Sequence, residues 1–346
     1  MPQAPPLAGR TVRQWVRLRR GGSGVRVELS NEFGHAPLVL AGVHLGDERP
    51  ALLEGRERWV IAPGETRRSD PVDLPTTGGD ELAVTLAVTS AGPPTFLHAA
   101  QRTALIAAGD HRGRAMPDGT ETSPSAFWLT RVLTDGPVSG PVVVTAGDSI
   151  TRGDVTTPDA DRRYPDRLRE LLGPDTAVLN AGIGGNRLLA ARVGPAMLER
   201  VDRDVTSVAE ATHVVVLGGL NDLAIPGVLG GTPPGADALV AGLETLVRRA
   251  RARGITPLLA TIPPAGASTI PAFATPAVEA TRREVNRLLL ARDDVAVADL
   301  ATVLADPHDP GRLAPAFAAY DGVHLSDAGA AALARAVCST LGGQRT

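Results

Sequence analysis

Three motifs in the second half of the chain carry side chains suited to acyl transfer. In Gly147-Asp148-Ser149-Ile150, Ser149 follows an apolar run at a turn between a strand and a helix. Its hydroxyl can act as a nucleophile there, or it can simply cap the helix. The glycines of Asn180–Asn186 can expose backbone amides to a ligand, or form a left-handed turn. Asn221 can donate to a developing oxyanion, or serve as a turn residue.

A serine hydroxyl needs a base, and two histidines compete for that role. His324, in Asp321-Gly322-Val323-His324, immediately precedes an apolar helical pattern. Asp321, three residues earlier, is near enough on a turn to accept a hydrogen bond from the second imidazole nitrogen and fix the tautomer. His308 is the rival, since it also has acidic neighbours. We favour His324 as the base.

The elements that must position these side chains alternate between apolar strands and amphipathic helices. The strand candidates are Val142–Ala146, Ala177–Leu179, Val214–Leu217, Leu258–Thr261 and Val295–Ala298. The helix candidates are Asp161–Leu172, Pro195–Ala209, Ala236–Arg253, Thr275–Ala291 and Ser326–Leu341. This alternation predicts a parallel sheet covered on both faces, with the ligand site beyond the carboxyl ends of the strands. We expect the loops Ala224–Ala236 and Pro263–Pro276 to border that site.

The first half of the chain shows short strands separated by turn signals, without helices. The candidates are Thr11–Arg19, Val25–Ser30, Leu38–Leu45, Arg58–Ile61, Glu81–Thr89, Thr95–Ala99 and Phe127–Leu133. They predict an all-β domain, a β-sandwich or jelly roll. The linker Asp135–Pro141 separates the halves, and we place the domains at residues 1–138 and 139–346. We expect the tryptophans, all in this half, to pack in its core, although they could form a sugar-stacking platform.

Composition excludes several classes of function. All 35 basic residues are arginine, and the absence of lysine excludes Schiff-base chemistry and the lysine-containing phosphate-binding loop. The formal charge of −3 predicts neither a nucleic-acid nor a membrane partner. One cysteine, Cys338, excludes an internal disulfide and multi-cysteine zinc sites, and we expect no cofactor or metal.

The N-terminus has no basic segment followed by an apolar run, so we expect a cytoplasmic protein. If an export signal had been removed from the sequence, the protein would instead be secreted.

The motifs around Ser149, Asn180–Asn186, Asn221 and His324 resemble, in this order, the four blocks of the GDSL/SGNH serine hydrolases. The resemblance covers roughly residues 141–341, with isoleucine at position 150 in place of the family's leucine. It implies a flavodoxin-like, three-layer α/β domain. The β-rich half resembles, more loosely, the N-terminal domain of some bacterial members.

The resemblance also implies a role for each residue. Ser149 would be the nucleophile, His324 the base and Asp321 its orienting acid. The oxyanion hole would consist of the Ser149 N–H, the Gly185 N–H and the Asn221 side chain, with Gly184 as the alternative to Gly185. The G-x-S-x-G elbow of the α/β-hydrolases is absent, which disfavours that fold.

These roles predict a serine esterase acting on a small-molecule or carbohydrate ester. Short-chain acyl esters, including acetylated carbohydrates, are the preferred substrates, largely by family analogy. Two alternative functions belong to other classes of protein. The enzyme could transfer the acyl group to a sugar or metabolite hydroxyl, or the chain could bind carbohydrate with a vestigial catalytic domain.

Overall fold

The computed structural model describes residues 5–46, 48–93, 96–97, 100–137 and 139–343. Its internal contacts divide the chain into two units, Met1–Pro137 and Val138–Thr346. Of the predicted strand Thr95–Ala99, only residues 96–97 are described, and the rest lies outside the described residues. Val138, where we placed the end of the first domain, also lies outside them.

The described residues of the first unit form strands and no helix. The strands are β1 (Arg10–Arg17), β2 (Gly22–Ser30), β3 (Leu38–Leu45), β4 (Arg49–Ala51), β5 (Trp59–Ile61), β6 (Thr66–Arg68), β7 (Val72–Thr76), β8 (Glu81–Ser90), β9 (Phe96–Leu97), β10 (Ala104–Ala108), β11 (Glu121–Ser123), β12 (Ala126–Phe127) and β13 (Leu129–Thr134). One antiparallel sheet has the order β11-β10-β1-β8-β3-β4, with β5 beside β3. A second has the order β13-β2-β6, with β7 also paired to β2. The all-β prediction for this half is confirmed.

These two larger sheets of the first unit share one hydrophobic core. Val25, Val27 and Leu29 are buried at alternate positions of β2, which is the pattern of a strand with one face in a core. They pack in the same cluster as side chains from β1, β3 and β8. Trp59 and Trp128 are buried in this core, as predicted, whereas Trp15 is half-buried.

The second unit alternates strands and helices. Its strands are β14 (Val142–Gly147), β15 (Ala177–Gly182), β16 (His213–Leu217), β17 (Thr256–Ala260), β18 (Ala296–Ala298), β19 (Ala305–Asp306) and β20 (Asp309–Leu313). Its helices are α1 (Ser149–Arg152), α2 (Tyr164–Leu172), α3 (Met197–Val201), α4 (Leu220–Leu229), α5 (Ala236–Arg251), α6 (Pro276–Leu290), α7 (Leu300–Leu304) and α8 (Asp327–Gly343). Five parallel strands form one sheet in the order β15-β14-β16-β17-β18.

Each face of the parallel sheet is covered by its own set of helices. Val144, Val214 and Val216 pack with α3, α5 and α6 in one cluster. Their neighbours Val143 and Val215 pack with α2, α7 and α8 in another. Because successive side chains of a strand point to opposite faces, strands that are apolar throughout are what a sheet buried on both faces requires. The predicted three-layer α/β fold is confirmed.

Two local predictions hold only in part. The predicted loop Ala224–Ala236 begins inside α4, a helix that contains Pro226 and ends at Gly230 in the left-handed conformation. Burial of the first turns of α4 outweighs the one backbone hydrogen bond that a proline removes. The predicted helix Pro195–Ala209 is a short α3 followed by a π-helical turn, Asp202–Thr206.

Candidate active site

The structure brings Ser149, Asp321 and His324 into one hydrogen-bonded chain. His324 Nε2 lies 2.8 Å from Ser149 Oγ, although the two residues are 175 positions apart in sequence. His324 Nδ1 lies 2.5 Å from Asp321 Oδ2. A nucleophile in contact with a base, and the base in contact with an orienting carboxylate, is the arrangement that activates a hydroxyl for attack.

Ser149 is held at the end of β14 by tight local geometry. Asp148 caps the single turn of α1 by accepting a 3.0 Å hydrogen bond from the Ile150 N–H. Gly147 must be glycine, since a Cβ there would lie 2.5 Å from the Leu217 carbonyl oxygen of the neighbouring strand. Gly153, in the left-handed conformation, ends α1. The serine is thereby fixed at the carboxyl edge of the sheet, where a ligand site was predicted.

The loop before α8 orients the other two members of the chain. Asp321 Oδ1 accepts hydrogen bonds from the backbone N–H groups of Val323 and His324, at 3.0 and 2.9 Å. Burial tends to raise the pKa of Asp321, but these bonds and the His324 imidazole hold it below its ordinary value. Gly322 has a φ of +70°, and a Cβ there would lie 2.2 Å from the Ala267 carbonyl oxygen. The carboxylate therefore stays ionised and correctly placed beneath the imidazole.

The oxyanion-hole candidates differ in their surroundings. Gly185 and Asn221 line the same cavity as Ser149 and His324. Gly184 instead packs against Arg152, because a Cβ on Gly184 would lie 2.2 Å from the guanidinium nitrogen Nη2. Asn221 Nδ2 donates one hydrogen bond, of 3.0 Å, to the Asn186 carbonyl oxygen. An amide nitrogen carries two hydrogens, so the second is available to a substrate oxygen.

A carboxylate joins the glycine-rich segment to the start of α4. Asp222 accepts hydrogen bonds from the backbone N–H groups of Leu188 and Leu189, at 2.7 and 2.9 Å. Burial raises the pKa of Asp222, and those two N–H donors oppose the rise. The segment that carries Gly185 is therefore tied to the helix turn that carries Asn221.

Arg200 is a residue of the site that sequence reasoning missed. Its guanidinium, only 3% exposed, donates to the Gly147 and Ala181 carbonyl oxygens at 2.8 and 2.7 Å. It also donates to Asn186 Oδ1 at 3.0 Å and pairs with Asp204 at 2.7 Å. One side chain thus joins the carboxyl ends of β14 and β15 to the glycine-rich segment. Its one sequence signal is an acid four residues later on a helix, which many surface arginines share.

Asp154 is a second residue of the site that sequence reasoning did not predict. Its backbone N–H donates to the Ser149 carbonyl oxygen, and its side chain forms an ion pair with Arg152. The Asp154 carboxylate lines the cavity 4.0 Å from His324 Nε2. The rival base, His308, is exposed in the turn between β19 and β20 and is not among the side chains that line this cavity.

Three further features of the structure concern metal binding, membrane spans and the cysteine. Among the residues it describes, no three His, Cys, Asp or Glu side chains are grouped so as to hold a metal ion. Within the same part of the chain, no helix is long and apolar enough to cross a membrane. Cys338 is a free, half-buried thiol on α8.

Comparison with known families identifies the chain. The profile of the GDSL-like lipase/acylhydrolase family matches residues 145–332, which is more than half of the sequence. The chain belongs to this family. It is accordingly a hydrolase of carboxylic esters, and the matched range contains the four motifs recognised in the sequence. No match is found among curated proteins.

Several solved structures of esterases are similar to this chain. Est24, a carbohydrate acetylesterase from Sinorhizobium meliloti, is 15% identical with a TM-score of 0.49, over 59% of this chain and 100% of that one. The M. smegmatis aryl esterase is 17% identical with a TM-score of 0.48, over 59% and 99%. A second S. meliloti protein, a carbohydrate acetylesterase family member, is 23% identical with a TM-score of 0.46, over 58% and 97%.

Replacing Arg200 should weaken both the fold and the site of this GDSL-family enzyme. Arg200→Lys keeps the charge but cannot reach all four acceptors, and we expect a loss of about 2–3 kcal/mol in the free energy of unfolding. Arg203→Met is the matched control, because Arg203 binds the same Asp204 but is about one-third exposed on its side chain. The free energy of unfolding of that control should fall by less than about 1 kcal/mol. Denaturant unfolding of both variants measures this, and equal losses would show that the strand-end contacts contribute nothing.

The buried Asp148 should give the stability a specific pH dependence. Burial raises its pKa to about 6, helped by the charges of Asp154 and Asp222 and opposed by the Ile150 N–H and His324. The folded protein therefore binds this proton more tightly than the unfolded chain, and the contribution of Asp148 to stability falls as the pH rises from about 4 to about 6.

Asp148→Asn should remove that dependence while leaving an oxygen to cap α1. We expect the stability of the variant relative to the unchanged protein to rise by about 2 kcal/mol between pH 4.5 and 7.5. Urea unfolding at the two pH values tests this. A difference between the two proteins that stays constant with pH would mean that the carboxyl has an ordinary pKa.

Proposed function

We propose that this GDSL-family hydrolase is a serine esterase in which Ser149 is the nucleophile, His324 the general base and Asp321 its orienting acid. The observation that supports this is the unbroken hydrogen-bonded chain from Ser149 Oγ through both imidazole nitrogens to Asp321 Oδ2. Ser149 and His324 line a cavity of about 300 Å³, so a substrate can reach the hydroxyl.

Acylation begins when Ser149 Oγ attacks the carbonyl carbon of the ester. Its proton passes to His324 Nε2, and the electron pair of the carbonyl moves to the oxygen. Asp321 accepts the hydrogen bond from Nδ1 and stabilises the imidazolium that forms. The bond to the alcohol oxygen then breaks, Nε2 gives its proton to that oxygen, and the alcohol leaves an ester on Ser149.

The negative oxygen formed in this step needs donors that are already in place. We assign that role to the N–H of Ser149, the N–H of Gly185 and the second hydrogen of Asn221 Nδ2. Gly185 and Asn221 face the same cavity as the nucleophile, and Asp222 holds their two segments together. Donors fixed by the fold need no reorganisation as charge develops, which is why they lower the barrier.

Hydrolysis of the acyl-enzyme repeats the sequence with water. His324 Nε2 takes a proton from the water as its oxygen attacks the ester carbonyl, and returns that proton to Ser149 Oγ when the acid leaves. The substrates that we propose are esters of short-chain acids. Apart from the ester and water, every group that takes part in this scheme is a side chain or a backbone amide of this chain.

Removal of the nucleophile tests the proposal. Ser149→Ala should lower kcat for p-nitrophenyl butyrate by about a millionfold while the protein stays folded, since nucleophile and base act as a unit. Ser326→Ala is the matched control, because Ser326 lies two residues after His324 and its hydroxyl donates to the Ala316 carbonyl oxygen. The control should keep its activity. Substantial turnover by folded Ser149→Ala would overturn the assignment.

A further inference from the structure

One side of the catalytic cavity is built from apolar side chains. They come from α4 and from the segment that follows β17, and we call this set the apolar wall: Leu220, Ile225, Val228, Ile270 and Phe273. The cavity volume of about 300 Å³ is at the lower end of the range for sites that bind small molecules. A ligand bound in this cavity therefore contacts both the apolar wall and the reacting groups.

The wall begins beside the oxyanion hole and leads away from it along α4. Asn221, Ile225 and Val228 are spaced i, i+4 and i+7, so they lie on one face of the helix. Between Asn221 and Val228 the helix rises by roughly 10 Å. A group bound at the Asn221 amide thus meets two successive apolar side chains in the direction of solvent.

The far end of the wall is exposed. Val228 is 59% exposed and Ile270 is 46% exposed, although both line the cavity. The segment that carries Ile270 lies close to α4, where a Cβ on Gly227 would be 3.9 Å from the Ala272 Cβ. These two exposed aliphatic side chains at the mouth of the cavity form a surface that an apolar group of a ligand would cover.

Charged side chains lie next to the proposed base. His324 Nε2 must face the alcohol oxygen, because that nitrogen gives it the proton. Asp154 lies 4.0 Å from Nε2 and carries the ion pair with Arg152. The leaving alcohol therefore departs beside charged groups, which leaves the α4 side of the cavity for the acyl chain.

We propose that the apolar wall binds the acyl chain, and that the preferred substrates are esters of aliphatic acids longer than acetate, from butanoate to octanoate. This inference rests on the proposed serine esterase function. Sugar hydroxyls need hydrogen-bonding partners, whereas an acetyl group would leave Ile225 and Val228 uncovered. The residues of the wall offer no polar side-chain atom, so they suit a methylene chain.

The size of the effect follows from the transfer of methylene groups out of water. Each buried CH₂ should raise kcat/KM about fourfold, the equivalent of about 0.8 kcal/mol. Butyrate should therefore exceed acetate by about fifteenfold. The increase should stop where the chain passes Val228 and returns to solvent.

The test compares p-nitrophenyl acetate, butyrate, hexanoate and octanoate, which share one leaving group. Val228→Asp should lower the ratio of kcat/KM for octanoate to that for acetate by about tenfold, because a carboxylate at the mouth prevents dry contact with the chain. Val303→Asp is the matched control, since Val303 is 42% exposed on α7 and does not line the cavity. That control should leave the ratio unchanged.

Three results would overturn the proposal: a flat or falling acyl series, a series in which longer alcohols rather than longer acids raise kcat/KM, or equal effects of Val228→Asp and Val303→Asp. Methyl, butyl and hexyl acetate, followed by acid release, supply the alcohol series. Failure of the serine esterase function would look different, because hydrolysis of every ester would then be absent or would survive in Ser149→Ala.

Discussion

The buried guanidinium of Arg200 fixes the edge of the sheet on which the reacting groups stand. A charge this deeply buried must be fully hydrogen-bonded, and the acceptors that it finds are the carbonyl oxygens of Gly147 and Ala181, the side chain of Asn186 and the carboxylate of Asp204. Gly147 lies two residues before Ser149, and the Asn186 carbonyl oxygen accepts from the Asn221 amide. One network therefore positions the proposed nucleophile and the proposed oxyanion donors, and it is set before any substrate arrives.

Acidic side chains lie around His324, and apolar side chains of α4 line another part of the same cavity. Asp321 lies beside one nitrogen of the His324 imidazole and Asp154 beside the other, and Asp148 is buried in the lining of the same cavity, so the imidazolium of the proposed mechanism would have acidic neighbours. Arg152 offsets part of that charge by pairing with Asp154. On the other side α4 carries both the Asn221 amide and the apolar wall. In the proposed mechanism, one helix thus links the stabilisation of the oxyanion to the choice of acyl chain.

The sequence predicted the layers of the fold and the contact between Asp321 and His324 because both leave local patterns, whereas the roles proposed for the site residues came from the resemblance to the GDSL/SGNH family. Apolar strands alternating with helices gave the three-layer fold, and the spacing of Asp321 and His324 on one turn gave their contact. Arg200, Asp154 and α4 could not be predicted in the same way. The partners of Arg200 are backbone carbonyls from distant strands, which leave no trace in sequence, and Asp154 reaches His324 only because Gly153 reverses the chain. In α4, Pro226 and the glycines suggested a loop, but tertiary burial of its first turns decided the conformation.

The most direct test of this account is to label the nucleophile with diethyl p-nitrophenyl phosphate and locate the label by peptide mass analysis. The transferred phosphoryl group resists hydrolysis, so the first step is trapped. We predict release of one p-nitrophenolate per chain, loss of esterase activity and a diethylphosphoryl group on the peptide that contains Ser149, all of which require His324. Inactivation with the label on another residue, or full esterase activity in a protein labelled at Ser149, would contradict the account.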